Sequence, residues 1–213
     1  MTKVKSDFPE RHKALHAPAG CSTGRLFIVC APSGAGKSTL CSAMRREYEE
    51  LTYSVSYTTR SPRKDERHGR DYFFISVEEF ERGISQDRWA EWAKVHNNYY
   101  GSSAQWIAQA LAAGRHILMD IDIQGARQML QHFPNAITIF IMPPSMEALE
   151  NRLRARGTDS PATIALRLDN AGEEMAQKDL CRHVLVNDDL ESATQQLSAL
   201  IRRYLDGPEG CDG

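Results

Sequence analysis

The segment APSGAGKS at 31–38 constrains the fold more than any other part of this sequence. It directly follows an apolar run, LFIVC at 26–30, and it opens a segment with helical periodicity. A glycine-rich loop that ends in Gly-Lys-Ser between a strand and a helix binds phosphate with its backbone N–H groups and the helix N-terminus. The sequence therefore predicts a strand, a phosphate-binding loop and a helix, the first unit of an α/β sheet.

Each part of this loop has a predicted task. Gly34 and Gly36 let the backbone turn, and Lys37 reaches the β- and γ-phosphates of a nucleotide. The Ser38 hydroxyl is a predicted ligand of Mg²⁺; the alternative is a plain glycine turn capped by Ser38. Ala31 replaces the usual first glycine, so the loop indicates a nucleotide triphosphate but no particular reaction. The predicted ATP contacts here are Ala31, Pro32, Ser33, Gly34, Ala35, Gly36, Lys37, Ser38 and Thr39.

Four apolar runs without polar alternation predict the buried strands of a parallel sheet. They are LFIVC at 26–30, HILMDI at 116–121, ITIFIM at 137–142 and HVLV at 183–186. Helical patterns follow at 38–50, 124–132, 145–156, 161–178 and 190–204. The segment 52–103 breaks this alternation, with β-like pieces at 54–59 and 72–76, and is predicted to be an insertion beside the carboxyl ends of the strands.

Composition excludes several classes of protein. The 213 residues carry a net charge of −2, so the chain lacks the strong positive field that favours binding to a nucleic acid. No apolar stretch approaches the roughly 18 residues of a membrane span. The five cysteines lack Cys-x-x-Cys spacing and predict reduced thiols in the cytoplasm. Residues 1–23 and 206–213 are predicted to be flexible tails around one domain at 24–205.

The inserted segment supplies cations for a second anionic substrate. Arg60 and Arg63 are three residues apart, Pro62 stiffens the turn between them, and both guanidinium groups are able to close on one phosphate. Tyr72 and Tyr100 are candidate hydroxyl donors to the same phosphate. The alternative is a solvated basic loop balanced by its own acidic residues.

Seven motifs in this chain resemble, in the same order, those of guanylate kinases. They are APSGAGKST, SVSYTTRSPR, HGRDYFF, AEWAKVHNNYYGSS, LMDIDIQGA, RLRARGT and VNDD, and the resemblance spans 24–204. It implies a P-loop kinase with a core at 24–51 and 104–205, a GMP-binding insertion at about 52–103 and a helical lid at about 152–170. It further implies transfer of the γ-phosphoryl group of ATP to GMP and to dGMP, with Mg²⁺, in a monomer or homodimer.

The resemblance also assigns the guanine contacts. Ser56, Glu91 and Asp122 match positions that contact the base, and Tyr100 and Ser102 match positions at the monophosphate. A carboxylate accepts from guanine N1–H and its N2 amine together, whereas adenine would leave it unmatched. Two structural alternatives remain open: Glu91 as a surface residue and Asp122 as the N-cap of the following helix.

The remaining assignments concern metal, lid and adenine. Asp120 ends an apolar run and is expected, with Ser38, to hold Mg²⁺ or its water shell, unless it merely pairs with a basic residue. Asn187 either contacts adenine or supports the phosphate loop. The predicted catalytic cations are Lys37, Arg60, Arg152, Arg156 and Arg167, the last three from the lid.

Two rival functions remain open at this stage. The first is a kinase for AMP or a pyrimidine monophosphate, which the guanine contacts Ser56, Glu91 and Asp122 argue against. The second is a non-catalytic interaction module of the kind that shares this domain in scaffold proteins. Such modules typically lack a working phosphate loop, whereas Lys37 and Ser38 are present here.

Overall fold

The computed structural model describes residues 24–95, 97–155, 157 and 159–207. Their strands are β1 (Leu26–Cys30), β2 (Leu51–Tyr53), β3 (Tyr57–Thr58), β4 (Phe73–Phe74), β5 (Trp89–Val95), β6 (Asn98–Ser103), β7 (His116–Asp120), β8 (Ile137–Met142) and β9 (His183–Val186). Strands β2, β7, β1, β8 and β9 form, in this order, a sheet in which all neighbouring strands are parallel. The predicted α/β fold with a central parallel sheet is confirmed, since all four apolar runs lie in this sheet.

The described α-helices are α1 (Lys37–Glu47), α2 (Val77–Ser85), α3 (Ala104–Ala112), α4 (Ile123–His132), α5 (Met146–Ala155), α6 (Pro161–Met175) and α7 (Leu190–Asp206). The five helical patterns of the sequence correspond to α1 and to α4 through α7. Periodicity does not predict α2 or α3. Each begins at a serine, Ser76 or Ser103, whose side chain accepts from the backbone N–H three residues later, a local N-cap signal that was available in the sequence.

Apolar side chains cover both faces of the central sheet. In β1, Phe27 and Val29 pack in a cluster with α1 and α7, whereas Ile28 and Cys30 pack in another with α3 and α4. All four side chains are fully buried. This two-sided burial explains why the strands are continuous apolar runs and not alternating ones.

The insertion forms a second sheet with the strand order β4, β3, β6, β5. β3 pairs in parallel with β4, and the other two pairs are antiparallel. The β-like pieces predicted at 54–59 and 72–76 contain only the two-residue strands β3 and β4. Thr52 and Tyr53, which the sequence prediction assigned to the insertion, instead pair with β7 in the central sheet. Of the predicted tails, 1–23 and 208–213 lie outside the described residues, whereas Asp206, predicted to begin the second tail, is the last residue of α7.

Candidate active site

The phosphate loop joins β1 to α1 through two glycines in the left-handed backbone region. Gly34 and Gly36 have φ angles of +98° and +95°, which glycine adopts at little cost. Gly36 is the N-cap of α1, and no side chain caps this helix, so the alternative of a turn capped by Ser38 is wrong. The Lys37 Nζ donates to the backbone oxygen of Ile121 at 2.9 Å. The amine therefore already lies at the carboxyl end of β7.

Asn187 supports this loop from the other side. Its side chain is 4% exposed, and its Nδ2 donates to the backbone oxygen of Ala35 at 2.8 Å. A Cβ on Gly36 would lie 2.3 Å from this Nδ2, so the amide needs a glycine opposite it. Of the two roles that the sequence left open for Asn187, support of the loop is the one this geometry provides, and the contact with adenine stays a prediction.

The two aspartates at the carboxyl end of β7, Asp120 and Asp122, have different partners. Asp120 accepts from the hydroxyl of Tyr53, with 2.5 Å between Oη and Oδ1. The pKa of Tyr53 is raised by burial and by the neighbouring charge of Asp120, so the phenol remains a neutral donor. Asp122 is the N-cap of α4, and its Oδ1 accepts from the backbone N–H of Gly125 at 2.7 Å. Capping therefore uses one Asp122 oxygen, and a guanine contact through the other stays a prediction.

Glu91 lies on β5 and is only 8% exposed, so the alternative of a surface glutamate is wrong. The Ser102 hydroxyl, opposite it on β6, donates to Glu91 Oε1 at 2.7 Å. A Cβ on Gly125 would lie 3.3 Å from Glu91 Oε2 and 3.4 Å from Asp122 Oδ1, so this glycine lets both carboxylates approach α4. Burial raises the pKa of Glu91 to about 7, with a smaller contribution from Asp122, while the Ser102 bond lowers it.

Ser102 therefore lies at the predicted base contact. Its assignment to the monophosphate came from the family motif, but its fully buried hydroxyl is directed to Glu91. Ser56 lies just before β3, where its backbone oxygen accepts from the Phe73 N–H at 2.9 Å and aligns β4.

Arg60 lies among aromatic rings in the insertion. Its guanidinium donates to Glu66 at 2.8 Å and stands 5.6 Å from the centre of the Tyr72 ring. The rings of Tyr72 and Tyr100 are 6.0 Å apart. The Glu66 carboxylate and then the Tyr100 hydroxyl raise the pKa of Arg60. Three of the predicted monophosphate contacts therefore form one cluster.

Arg63 is connected to that cluster through its backbone. Its N–H donates to the second oxygen of Glu66 at 2.8 Å, while its side chain is exposed. Glu66 therefore orients the Arg60 guanidinium with one oxygen and holds the Arg63 backbone with the other.

The predicted lid at about 152–170 falls on the end of α5 and most of α6, and these two helices pack through Leu149, Leu153, Ile164 and Ala171. Arg167 on α6 donates to the Ser33 hydroxyl at 3.1 Å and pairs with Asp159 at 3.4 Å, so it reaches the phosphate loop.

The other lid arginines have different surroundings. Arg152 on α5 donates to the backbone oxygens of Asn187 and Asp188 at 2.8 and 3.0 Å. Arg154 pairs with Glu150 one turn earlier on the exposed side of α5. Arg156 lies outside the described residues.

A cavity of about 310 Å³ lies over the phosphate loop. Lys37, Ser38 and Thr39 line it from α1, and Asp122 and Glu174 line it from the opposite side. Burial and then the charge of Asp122 raise the pKa of Glu174, whereas Lys37 lowers it. The cavity is therefore lined by the phosphate loop and by Asp122, whose carboxylate lies with that of Glu91 beside Gly125.

Comparison with known proteins agrees with this geometry. The family model described as guanylate kinase matches residues 23–204. The chain belongs to the guanylate kinase family. A guanylate kinase of Dechloromonas aromatica (strain RCB) is 49% identical over 84% of this chain and 89% of the relative. A guanylate kinase of Geobacter sulfurreducens (strain ATCC 51573 / DSM 12127 / PCA) is 46% identical over 84% of this chain and 88% of the relative.

Solved structures give the same result. The crystal structure of guanylate kinase from Anaplasma phagocytophilum matches with a TM-score of 0.64 and 32% identity, covering 86% of this chain and 87% of that one. The P-loop kinase fold expected from the sequence is therefore confirmed for this member of the guanylate kinase family.

Four residues of the site escaped sequence reasoning in this member of the family. They are Tyr53, Glu66, Gly125 and Glu174. Glu66 carried a weak signal, because it follows Arg63 by three residues in a turn-rich segment. Tyr53 and Glu174 carried no signal in the sequence, because their partners are distant in the chain. Gly125 carried none either, because only the fold shows which atoms a side chain at this position would contact.

The donor set suits Mg²⁺. Ser38 offers a hydroxyl and Asp120 a carboxylate, the oxygen ligands that this ion prefers. No group of three His, Cys, Asp or Glu residues gathers as a metal site in the described part of the chain. Kinases typically bind Mg²⁺ through one or two protein oxygens with water and substrate phosphates, so a sparse protein contribution fits.

Among the described residues, no helix is long and apolar enough to cross a membrane.

Proposed function

We propose that this protein transfers the γ-phosphoryl group of ATP to GMP, and to dGMP, giving ADP and the diphosphate. The observation that carries the proposal is the buried Glu91 carboxylate, which is fixed by Ser102 and lies near Asp122, a residue that lines the cavity over the phosphate loop. A desolvated carboxylate at this place is costly unless a ligand donates to it. Guanine offers two such donors in line, at N1 and at the N2 amine.

Base selectivity follows from the same group. With AMP, Glu91 would face the N1 lone pair and no amine at C2, so its charge would stay buried without a donor. Sites that lose a buried hydrogen bond in this way reject the wrong substrate strongly. Ser102 already holds one carboxylate oxygen, which orients the group before the base arrives.

The acceptor phosphate would bind at the cluster of Arg60, Tyr72 and Tyr100. Arg60 is preorganised by Glu66, so it loses little rotamer freedom when the phosphate arrives. An oxygen of this phosphate is already anionic at neutral pH and needs no general base. The chemistry then depends on positioning and on charge stabilisation.

The donor phosphates would occupy the cavity over the loop. The Lys37 Nζ donates to a backbone oxygen in this structure, and it would instead bind the β- and γ-phosphates of ATP. Arg167 would approach the same phosphates from the lid, beside Ser33. Ser38 and Asp120 would hold Mg²⁺, which when bound neutralises charge on the phosphate oxygens. The ATP ribose and base would extend into a groove of about 530 Å³ between Thr39 and the start of α7.

The remaining parts of the proposal concern setting. We infer a cytoplasmic enzyme of purine nucleotide metabolism, acting as a monomer or homodimer without nucleic acid or membrane partners. The thiols of Cys30, Cys41 and Cys181 are free and buried, which suits a reducing compartment.

Steady-state kinetics across the nucleoside monophosphates test the proposal, with ATP and Mg²⁺ held constant. We expect kcat/KM for GMP to exceed that for AMP, CMP and UMP by at least about 100-fold. Equal values for GMP and AMP would refute the guanine assignment. No transfer to any monophosphate would favour the interaction module instead.

A further inference from the structure

Tyr53 is the one side chain that forms a hydrogen bond with Asp120 in the described part of the chain. β2 and β7 are parallel, with Tyr53 opposite Leu118, so Tyr53 and Asp120 lie on the same face of the sheet. The phenol reaches diagonally along this face and donates to Asp120 Oδ1. This face also carries α1, whose first turn belongs to the phosphate loop.

The tyrosine ring is itself held in place. The guanidinium of Arg45, on α1, lies 4.3 Å from the centre of the ring. Lys37, Cys41 and Arg45 are four residues apart in turn, so they share the side of α1 that faces these strands. The phenol is therefore fixed between the sheet and the helix that carries Ser38.

We propose that Tyr53 is a positioning residue for the metal carboxylate: by engaging Oδ1 of Asp120, it directs Oδ2 toward Mg²⁺ or its water shell. This inference rests on the proposed function, which assigns Mg²⁺ to Ser38 and Asp120. Groups that hydrogen-bond to a metal ligand fix its orientation, and their removal typically costs about 10–100-fold in metal affinity.

A purely structural role would give a different result. The same bond also ties the short edge strand β2 to β7, and its loss would then lower the stability of the fold alone. Metal dependence separates the two roles, because a structural tie affects nucleotide binding equally with and without Mg²⁺.

The test compares Tyr53→Phe with Tyr48→Phe. Each change removes one phenolic oxygen and keeps the ring, and Tyr48 bonds to Ser198 on α7, away from Asp120. Titration calorimetry gives the Kd of ADP with Mg²⁺ and with EDTA. We expect Tyr53→Phe to reduce the gain in ADP affinity that Mg²⁺ provides by about tenfold, and Tyr48→Phe to leave it as in the wild type.

Asp120→Asn completes the design. If it abolishes the Mg²⁺-dependent gain while Tyr53→Phe retains the full gain, the positioning role is refuted and the proposed function stands. Equal losses in Tyr53→Phe and Tyr48→Phe would also refute it, since the effect would then be general to the fold. A wild-type protein with the same ADP affinity with and without Mg²⁺ would refute the assignment of Mg²⁺ to Ser38 and Asp120, and the positioning role with it, whereas transfer to GMP is tested separately by the steady-state kinetics.

Discussion

Replacing Glu91 by glutamine is expected to stabilise the protein and, at the same time, to impair its use of GMP. The Glu91 carboxylate is 8% exposed and takes one hydrogen bond, from Ser102, in the unliganded protein. Burial holds its pKa at about 7 instead of its ordinary 4.5. An ionised Glu91 is therefore costly until a ligand donates to it.

The sign and size of the stability effect follow from linkage. Because the pKa of Glu91 is raised on folding, its contribution to the free energy of unfolding is fully present below about pH 4.5 and is lost as pH rises through about 7. The interval between these two pKa values corresponds to a loss of at most about 3 kcal/mol in the free energy of unfolding at pH 8. Glutamine is neutral throughout, so we expect the variant to gain stability over the wild type between pH 5 and pH 8, up to that limit.

Urea unfolding at pH 5 and pH 8 measures this difference. Glu49→Gln is the matched control, since Glu49 is exposed on the surface and should give no pH-dependent gain. A difference between Glu91→Gln and wild type that is the same at both pH values would refute the buried-carboxylate argument.

The same variant should lose selectivity. Guanine would lose two hydrogen bonds to the charged Glu91 carboxylate and would form weaker or mismatched ones with the glutamine amide. We therefore expect kcat/KM for GMP to fall by about 100-fold, while kcat/KM for AMP changes little. In the wild type, GMP affinity should rise as pH increases through about 7, because the ionised carboxylate is the form that binds. An unchanged ratio of GMP to AMP activity would show that Glu91 is structural.

Three other changes test the loop and the acceptor cluster. Lys37→Ala should lower kcat by at least about 100-fold in steady-state assays, since it removes charge at the transferring phosphoryl group; near-normal turnover would contradict this role. Arg60→Ala should raise the KM of GMP and leave that of ATP within about twofold, and equal losses for both nucleotides would place Arg60 in the wrong site. Gly36→Ala should destabilise the fold by about 1–3 kcal/mol in urea and weaken ATP, because its φ is +95° and the new Cβ would lie 2.3 Å from Asn187; an unchanged unfolding midpoint would refute that reasoning.

The sequence by itself determined four of the five strands of the central sheet and the identity of the phosphate loop. Continuous apolar runs specify strands buried on both faces, and glycines beside a lysine and a serine specify an anion loop, so local pattern suffices. The order of the motifs then determined the family. Local patterns also located most helices. They failed for α2 and α3, because each is only nine residues long and a single serine N-cap is a weak signal on its own.

Only the tertiary structure decided which partner each site residue has. Glu91 reads in sequence as one more charged residue, and its pKa is perturbed because β6 and α4 exclude water from it. Asn187 and Ala35 are 152 residues apart, and the link of Tyr53 to Asp120 exists because β2 pairs with β7. Burial and long-range contacts depend on how elements pack, and a pattern of neighbours along the chain carries no record of that packing.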